Sequence, residues 1–182
     1  MSHLGPAKNP FDIMSIDTIG GFGGSRLTKK YLHLLVDHFT RNAYILTFKT
    51  QGADDFIKLI NNLAEKNKIS LVLVDQYPGI NSGKFWQFLK AKNIPPIFTA
   101  VDSPYSSSLS EMLNETFVNK NRFKINERNK KVAWTTKAQE CTKMYNQTWH
   151  TTTGFAPKYL MKGTSTIVIP DGLKKTIRMP TG

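Results

Sequence analysis

The first fifty residues contain three segments whose hydrophobic pattern is typical of β-strands. Residues 11–20 (FDIMSIDTIG) alternate, residues 31–39 (YLHLLVDHF) are apolar and aromatic, and residues 42–49 (NAYILTFK) are rich in strand-forming side chains. Glycine-rich and polar turn sequences connect them at 20–25 and 40–42. The pattern predicts three consecutive strands in an antiparallel meander.

The period then changes to that of a helix and back again. Between residues 52 and 68 the apolar positions recur at helical spacing. A short apolar run follows at 69–74 (ISLVLV), which is typical of a strand buried on both faces, and it ends at Asp75. Residues 83–92 have a helical pattern and residues 95–100 an extended one. This succession predicts α/β architecture around a mixed sheet.

Two longer helices are predicted in the second half of the chain. The first begins at Ser106, and at about 100° per residue Glu111 and Arg122 lie on the side opposite its apolar stripe. The second covers about residues 131–149 and carries Cys141 on its apolar side. We therefore interpret the single cysteine as a core residue rather than a reactive thiol.

The composition indicates one folded domain. The 182 residues are 40% hydrophobic and 21% charged, which suffices for a single core and is unlike a disordered chain. We predict a flexible lead-in at 1–10, a folded domain at 11–163 and an extension or linker at 164–182. One cysteine cannot form an internal disulfide, and no apolar run is long enough to span a membrane.

The excess of basic residues lies in the second half. The chain has 25 Lys and Arg against 13 Asp and Glu, a formal net charge of +12. Residues 1–80 contain 9 basic and 7 acidic side chains, whereas residues 81–182 contain 16 and 6. This asymmetry favours a polyanionic partner, nucleic acid before a membrane surface. The alternative is a basic solvated surface that maintains solubility.

Carboxylates at the ends of predicted elements are the remaining candidates for chemistry. The sequence has no zinc-ligand spacing, no G-x-S-x-G elbow and no P-loop. Asp17 lies near the end of the first strand, Asp75 at the tip of the buried strand and Glu111 near the start of a helix. If the first and fourth strands are neighbours, the two aspartates face each other. Three clustered carboxylates need a cation, and oxygen ligands favour Mg²⁺ or Mn²⁺. The alternative is that all three are ordinary loop and surface acids.

Four sequence blocks around these acids resemble the catalytic cores of retroviral and gypsy-type retrotransposon integrases. Thirty-five residues separate Asp75 from Glu111, as in the D,D(35)E signature of that family. The resemblance runs from about Phe11 to Gly163. The matching blocks, in order, are IDTIGG at 16–21 with KKYLHLLVDHFTRNAYIL at 29–46, LVDQ at 73–76 with SGKFWQFLKAKNI at 82–94, VDSPYSSSLSEMLNETFVNKNRFKI at 101–125, and YNQTWHTTTGFAPKYLMKG at 145–163.

The resemblance implies an RNase H-like fold, in which a five-stranded mixed sheet is flanked by helices. It implies that Asp17, Asp75 and Glu111 are catalytic and hold Mg²⁺ or Mn²⁺ for two-metal phosphoryl transfer. The implied reactions are 3′-end processing and DNA strand transfer. The implied partners are the DNA ends of the element, target DNA and a second copy in a homodimer or higher oligomer. No zinc site is expected within these residues, and the expected location is the nucleus.

The predicted DNA contacts lie along the long helix that begins at Ser106 and in the basic segment that starts at Lys120. Arg122 is the strongest single candidate because it shares the side of the helix that carries Glu111, and Asn114 follows from the family's pairing of Asn with the Glu. The alternative for the basic residues is a solvated helical face. The full set of predicted contacts is Ser106, Asn114, Lys120, Arg122 and Lys124.

Departures from the family pattern leave other functions open. Tyr77 stands where the family has glycine two residues after the second Asp, and Ser107 and Ser108 replace a frequent Asn-Gly pair. One alternative is a domesticated or decayed core that acts as a DNA-binding or dimerisation module. The other is a different RNase H-fold nuclease or transposase.

Four further polar residues are interpreted as structural. Asp37 is expected to form hydrogen bonds at a strand end or turn. Asp12 lies five residues before Asp17, so we expect it on the other face of a regular strand. His38 and His150 lie inside matching blocks and are expected to be packing or loop residues.

Overall fold

The computed structural model describes residues 6–20, 29–75, 79–98 and 133–163. Over these ranges the chain forms five strands and four helices. The strands are β1 (Met14–Ile19), β2 (Tyr31–Asp37), β3 (Ala43–Phe48), β4 (Val72–Val74) and β5 (Pro96–Phe98). The helices are α1 (Ala53–Ala64), α2 (Gly83–Ala91), α3 (Trp134–Gln147) and α4 (Pro157–Met161).

The strands form one mixed sheet in the order β3-β2-β1-β4-β5. β1, β2 and β3 pair antiparallel, as predicted for the meander. β4 pairs parallel with β1 on one side and with β5 on the other. The predicted α/β fold with a five-stranded mixed sheet flanked by helices is confirmed.

The first core lies between the sheet and helices α1 and α2. Phe56 of α1 and Phe85 of α2 are fully buried there, against Met14 of β1 and Val72 of β4. Asp55 anchors the start of α1, where its carboxylate accepts a hydrogen bond from the backbone N–H of Gly52 (3.3 Å). The apolar stripe predicted for this helix therefore faces the sheet.

The second core lies on the opposite face of the sheet, under α3. Leu32 and Leu34 of β2 pack there with Ala138, Cys141 and Tyr145 of α3. The Cys141 side chain is buried, so the predicted core role of the single cysteine is confirmed. Helices thus cover both faces, which explains why the central strands are apolar on both sides.

Asn146 closes part of the open edge of the sheet, because β3 is an outer strand. Its side-chain Oδ1 accepts a hydrogen bond from the backbone N–H of Ala43 and its Nδ2 donates to the backbone carbonyl of Ala43, both at 2.8 Å. One amide side chain thereby satisfies both backbone groups of an edge residue. α3 is fixed to the sheet by polar contacts as well as by its apolar face.

Asn146→Ala should lower the free energy of unfolding by about 2 kcal/mol, because it leaves the donor and acceptor of the buried Ala43 unsatisfied. Urea denaturation followed by circular dichroism measures the loss. Asn61→Ala is the matched control, since the Asn61 hydrogen bond to Glu65 is exposed and its removal should change stability by less than about 0.5 kcal/mol. Equal losses in the two variants would contradict the role assigned to Asn146.

Within the described part of the chain, no helix has the length and apolar character needed to cross a membrane.

Candidate metal centre

Asp17 lies in the second half of β1, and Asp75 directly follows β4, the neighbouring parallel strand. In the β1–β4 ladder Ser15 pairs with Leu73. Asp17 lies two residues beyond Ser15 and Asp75 two residues beyond Leu73, so the two acids are at the same level along the strands. The predicted condition, that the first and fourth strands be neighbours, is met.

Strand alternation places both acids on one face of the sheet. Ile19, two residues after Asp17, packs in the second core under α3. Val74, which directly precedes Asp75, packs in the first core on the opposite face. The alternation of β1 therefore puts Asp17 on the α3 face, and continuing the alternation of β4 by one residue puts Asp75 on the same face.

The two carboxylates fit a hard divalent cation. Asp17 is half-buried and Asp75 is exposed. The backbone N–H of Thr18 donates a hydrogen bond to Asp17 Oδ1 (2.7 Å). Two carboxylates at one level and on one face offer oxygen donors alone, which Mg²⁺ and Mn²⁺ prefer.

The third predicted ligand, Glu111, lies outside the described residues. The same is true of the predicted DNA contacts Ser106, Asn114, Lys120, Arg122 and Lys124. Among the residues that the structure describes, no group of three or more His, Cys, Asp or Glu side chains could hold a metal ion. The described part of the predicted site is the pair of Asp17 and Asp75.

The sequence did not predict a hydrogen bond formed by Thr18, the residue after Asp17, on the opposite face of the sheet. Thr18 pairs with His33 across the β1–β2 ladder, and the Thr18 hydroxyl lies 2.8 Å from His33 Nδ1. His33 is fully buried. The signal in the sequence is a lone polar side chain inside the apolar strand YLHLLVD.

Burial lowers the pKa of His33 to about 4, against smaller opposing effects from the Asp55 carboxylate and the backbone of Thr50. The imidazole is therefore neutral at neutral pH. Because the folded-state pKa lies below the unfolded value of 6.5, the folded state binds fewer protons between these two values. The stability that depends on a neutral His33 is complete above pH 6.5 and is lost as the pH falls towards 4.

Acidification from neutral pH to about pH 4.5 should therefore destabilise the wild type by about 2 kcal/mol more than His33→Phe, which has no proton to take up. Urea unfolding of both proteins at the two pH values measures this difference, and the other titrating groups cancel in the comparison. An identical acid-induced loss in both proteins would show that His33 does not titrate in this way.

Asp37 and Asp12 both form local hydrogen bonds. Asp37 is buried, and its carboxylate accepts from the Thr40 hydroxyl (2.7 Å) and the Phe39 backbone N–H (3.1 Å). Burial raises its pKa. The predicted turn role of Asp37 is confirmed. Asp12 lies before β1 rather than inside a regular strand, because its carboxylate accepts from the backbone N–H of Asn9 (2.8 Å) in a turn.

His38 and His150 lie outside β1 and β4, the strands that position the two acids. His38 follows the end of β2, and burial, together with the charge of Arg41, lowers its pKa to about 4. His150 packs edge-on against Tyr145, with ring centroids 4.5 Å apart, and its backbone pairs with Phe155. Their predicted packing and loop roles are confirmed.

Taken together, the sheet order and the helices on both faces define the fold of retroviral integrase catalytic cores. The resemblance drawn from the four sequence blocks is thus confirmed at the level of the fold. No protein-family model and no curated protein sequence matches the chain.

Three solved structures illustrate the similarity. One is the simian T-cell lymphotropic virus intasome in complex with the PP2A regulatory subunit B56 gamma, with a TM-score of 0.75 and 18% identity; the match covers 96% of this chain and 62% of that one. The HTLV-2 integrase catalytic core domain in complex with magnesium, in its trimeric form, gives a TM-score of 0.68 and 16% identity. That match covers 84% of this chain and 97% of the HTLV-2 chain. The BIV integrase catalytic core domain gives a TM-score of 0.67 and 10% identity. That match covers 82% of this chain and 93% of the BIV chain.

Proposed function

We propose that this chain is the catalytic core of a metal-dependent polynucleotidyl transferase that processes the 3′ ends of a retroelement DNA and joins them to target DNA. One observation carries the proposal: the register of the neighbouring parallel strands β1 and β4 brings Asp17, inside β1, to the level of Asp75, just past the end of β4. The 35-residue spacing to Glu111 supplies the third carboxylate. The integrase-core fold supports the same reaction class.

The three acids would act together as ligands of one metal site. Asp17, Asp75 and Glu111 would hold Mg²⁺ or Mn²⁺, which would supply Lewis acidity for an in-line displacement at a DNA phosphate. Asp17 is half-buried, and the Thr18 N–H restrains its carboxylate. Asp75 is exposed, so solvent and a DNA backbone can reach it. An HTLV-2 core of the same fold was solved with magnesium, which supports this choice of metal.

DNA is the partner that the charge of the chain favours. Residues 81–182 carry 16 basic and 6 acidic side chains, so the excess positive charge follows the acids in the sequence. We assign phosphate and DNA-end contacts to Ser106, Asn114, Lys120, Arg122 and Lys124. A homodimer or higher oligomer and a nuclear location belong to the same proposal. Because the chain spans 62% of the intasome chain that it matches, end recognition and assembly are properties of the whole protein.

The joining chemistry of the 182-residue chain can be tested on a branched DNA, in which a strand of element DNA is already joined to target DNA. Both reacting groups are then in one molecule, so the assay depends least on DNA-end recognition. We expect resealed target DNA and a released strand with Mg²⁺ or Mn²⁺, and neither product with EDTA. Hydrolysis without joining would favour another RNase H-fold nuclease. DNA binding without any metal-dependent product would favour a decayed or domesticated core.

A further inference from the structure

A buried polar contact supports β1 from the side of the sheet opposite the two acids. His33 has no exposed surface, yet it lies among apolar side chains in the first core. Its Nδ1 lies 2.8 Å from the hydroxyl of Thr18, its cross-strand partner in the ladder. This hydrogen bond is costly to break, because the fully buried imidazole has no water to replace the Thr18 hydroxyl.

Two aromatic rings hold the imidazole in place. The ring of Phe56 from α1 stacks on His33 with centroids 4.4 Å apart and an interplanar angle of 30°. Phe48 of β3 also packs against the imidazole, with ring centroids 5.0 Å apart and an interplanar angle of 31°. With neighbours from a helix and from a strand, the imidazole cannot rotate without disturbing the core. His33 is therefore a rigid anchor for the Thr18 hydroxyl.

Thr18 connects His33 to Asp17, the first of the two acids of the candidate metal centre. It directly follows Asp17, so its side chain lies on the His33 face while the Asp17 side chain lies on the α3 face. The backbone N–H of Thr18 donates to Asp17 Oδ1 at 2.7 Å. The peptide group between Asp17 and Thr18 thus connects the Thr18 side chain to the Asp17 carboxylate.

We infer that His33 is a positioning residue for Asp17: through the Thr18 hydroxyl it fixes the Thr18 peptide and, with it, the orientation of the carboxylate that binds metal. This inference rests on the proposed function, because it requires Asp17 to be a metal ligand. Residues that orient a ligand in this way commonly affect metal affinity about 10-fold or more, although they never touch the ion.

Two variants remove the hydrogen bond from opposite partners. His33→Phe retains an aromatic ring between Phe48 and Phe56, and Thr18→Val retains the shape of the half-buried threonine. We expect each to weaken Mn²⁺ binding about 10-fold. The double variant should bind no more weakly than either single variant, because both changes break the same contact. Isothermal titration calorimetry of the full chain with Mn²⁺ measures the affinities, and Asp17→Asn identifies binding at this site.

Thr142→Val is the matched control. The hydroxyl of the buried Thr142 donates to the Ala138 carbonyl at 2.8 Å within α3, so its loss also removes one hydrogen bond of a threonine. This variant should be destabilised to a similar degree and should bind Mn²⁺ with wild-type affinity. The comparison separates a positioning role from a general loss of stability.

The outcomes distinguish this inference from the proposed function. Wild-type Mn²⁺ affinity in folded Thr18→Val and His33→Phe would overturn the inference alone, as would additive losses in the double variant. If the wild type and Asp17→Asn bound Mn²⁺ equally, the metal site itself would be wrong, and the inference would fail with it. Should His33→Phe not fold, Thr18→Val alone decides, because its side chain is only half-buried.

Discussion

Asp75→Asn should leave the fold intact and slow metal-dependent strand joining by about 100-fold or more. The amide lacks the negative charge and one of the oxygens that a divalent cation requires, and loss of a group that stabilises the charge of the transition state typically costs this much. Asp75 is exposed beyond the last residue of β4, so the substitution removes no core packing. The branched-DNA assay at saturating Mg²⁺ measures the change in rate.

Thermal unfolding gives a second readout that does not depend on activity. Mg²⁺ should raise the melting temperature of the wild type and leave that of Asp75→Asn unchanged, because only a folded site with both acids binds the cation. Asp54→Asn is the matched control: it makes the same charge change at an exposed acid whose partner, Lys84, is also exposed. Equal Mg²⁺ stabilisation of all three proteins, or joining by Asp75→Asn at the wild-type rate, would contradict the assignment.

Phe56→Ala should lower the free energy of unfolding by about 3 to 5 kcal/mol, the largest stability effect that we expect from one substitution. Phe56 is fully buried, stacks on His33 and packs edge-on against Phe85 with centroids 6.3 Å apart. A β-carbon on Gly79 would lie 3.0 Å from the Phe56 ring. The phenyl group therefore fills space between α1, α2, the sheet and the backbone at Gly79. Urea denaturation followed by circular dichroism measures the loss.

Phe98→Ala is the corresponding control, because Phe98 is 42% exposed on the outer strand β5. Its loss should stay below about 1.5 kcal/mol, since less apolar surface is removed from water. Comparable losses for the two phenylalanines would show that Phe56 does not hold the core in the way described.

Among the glycines that the structure describes, only Gly79 has no room for a β-carbon. A β-carbon there would overlap the backbone carbonyl oxygen of Gln51, and backbone cannot move aside as a flexible side chain can. The backbone at Gly79 therefore packs directly against the backbone at Gln51 and Gly52. The family pattern has its glycine two residues after the second Asp, whereas here the required glycine comes four residues after it.

The larger features of the fold could be predicted because their periodicity is strong. The alternation around Asp17 and the apolar run before Asp75 were sufficient to predict that Asp17 lies in the second half of β1 and that Asp75 follows β4. The exact extent of β4 could not be predicted from the run at 69–74, because the backbone N–H of Ser70 bonds to the carbonyl of Phe11 before the regular ladder begins. Helix α4 was also not predicted, since five residues are too few for a periodic pattern.

The contact between Thr18 and His33 needed information that a linear pattern does not contain. The two residues are 15 positions apart, and only the register of the β1–β2 ladder brings them together. A shift of that register by one residue would turn His33 to the other face. The roles of Asp37 and Cys141 were easier to predict, because local turn chemistry and helical spacing determine them.

The pairing of β1 with β4 has a consequence for the order of folding. This pairing brings together Met14 and Val72, which β2, β3 and α1 separate in the sequence. In contrast, β1 pairs with β2 and β2 pairs with β3, in each case the next strand along the chain. Closing such a long loop costs more chain entropy, and distant pairings form more slowly than local ones. We therefore expect the meander to form first and β4 to dock later. The two acids come together only at that last step, so the capacity to bind a divalent cation would report completed folding rather than initial collapse.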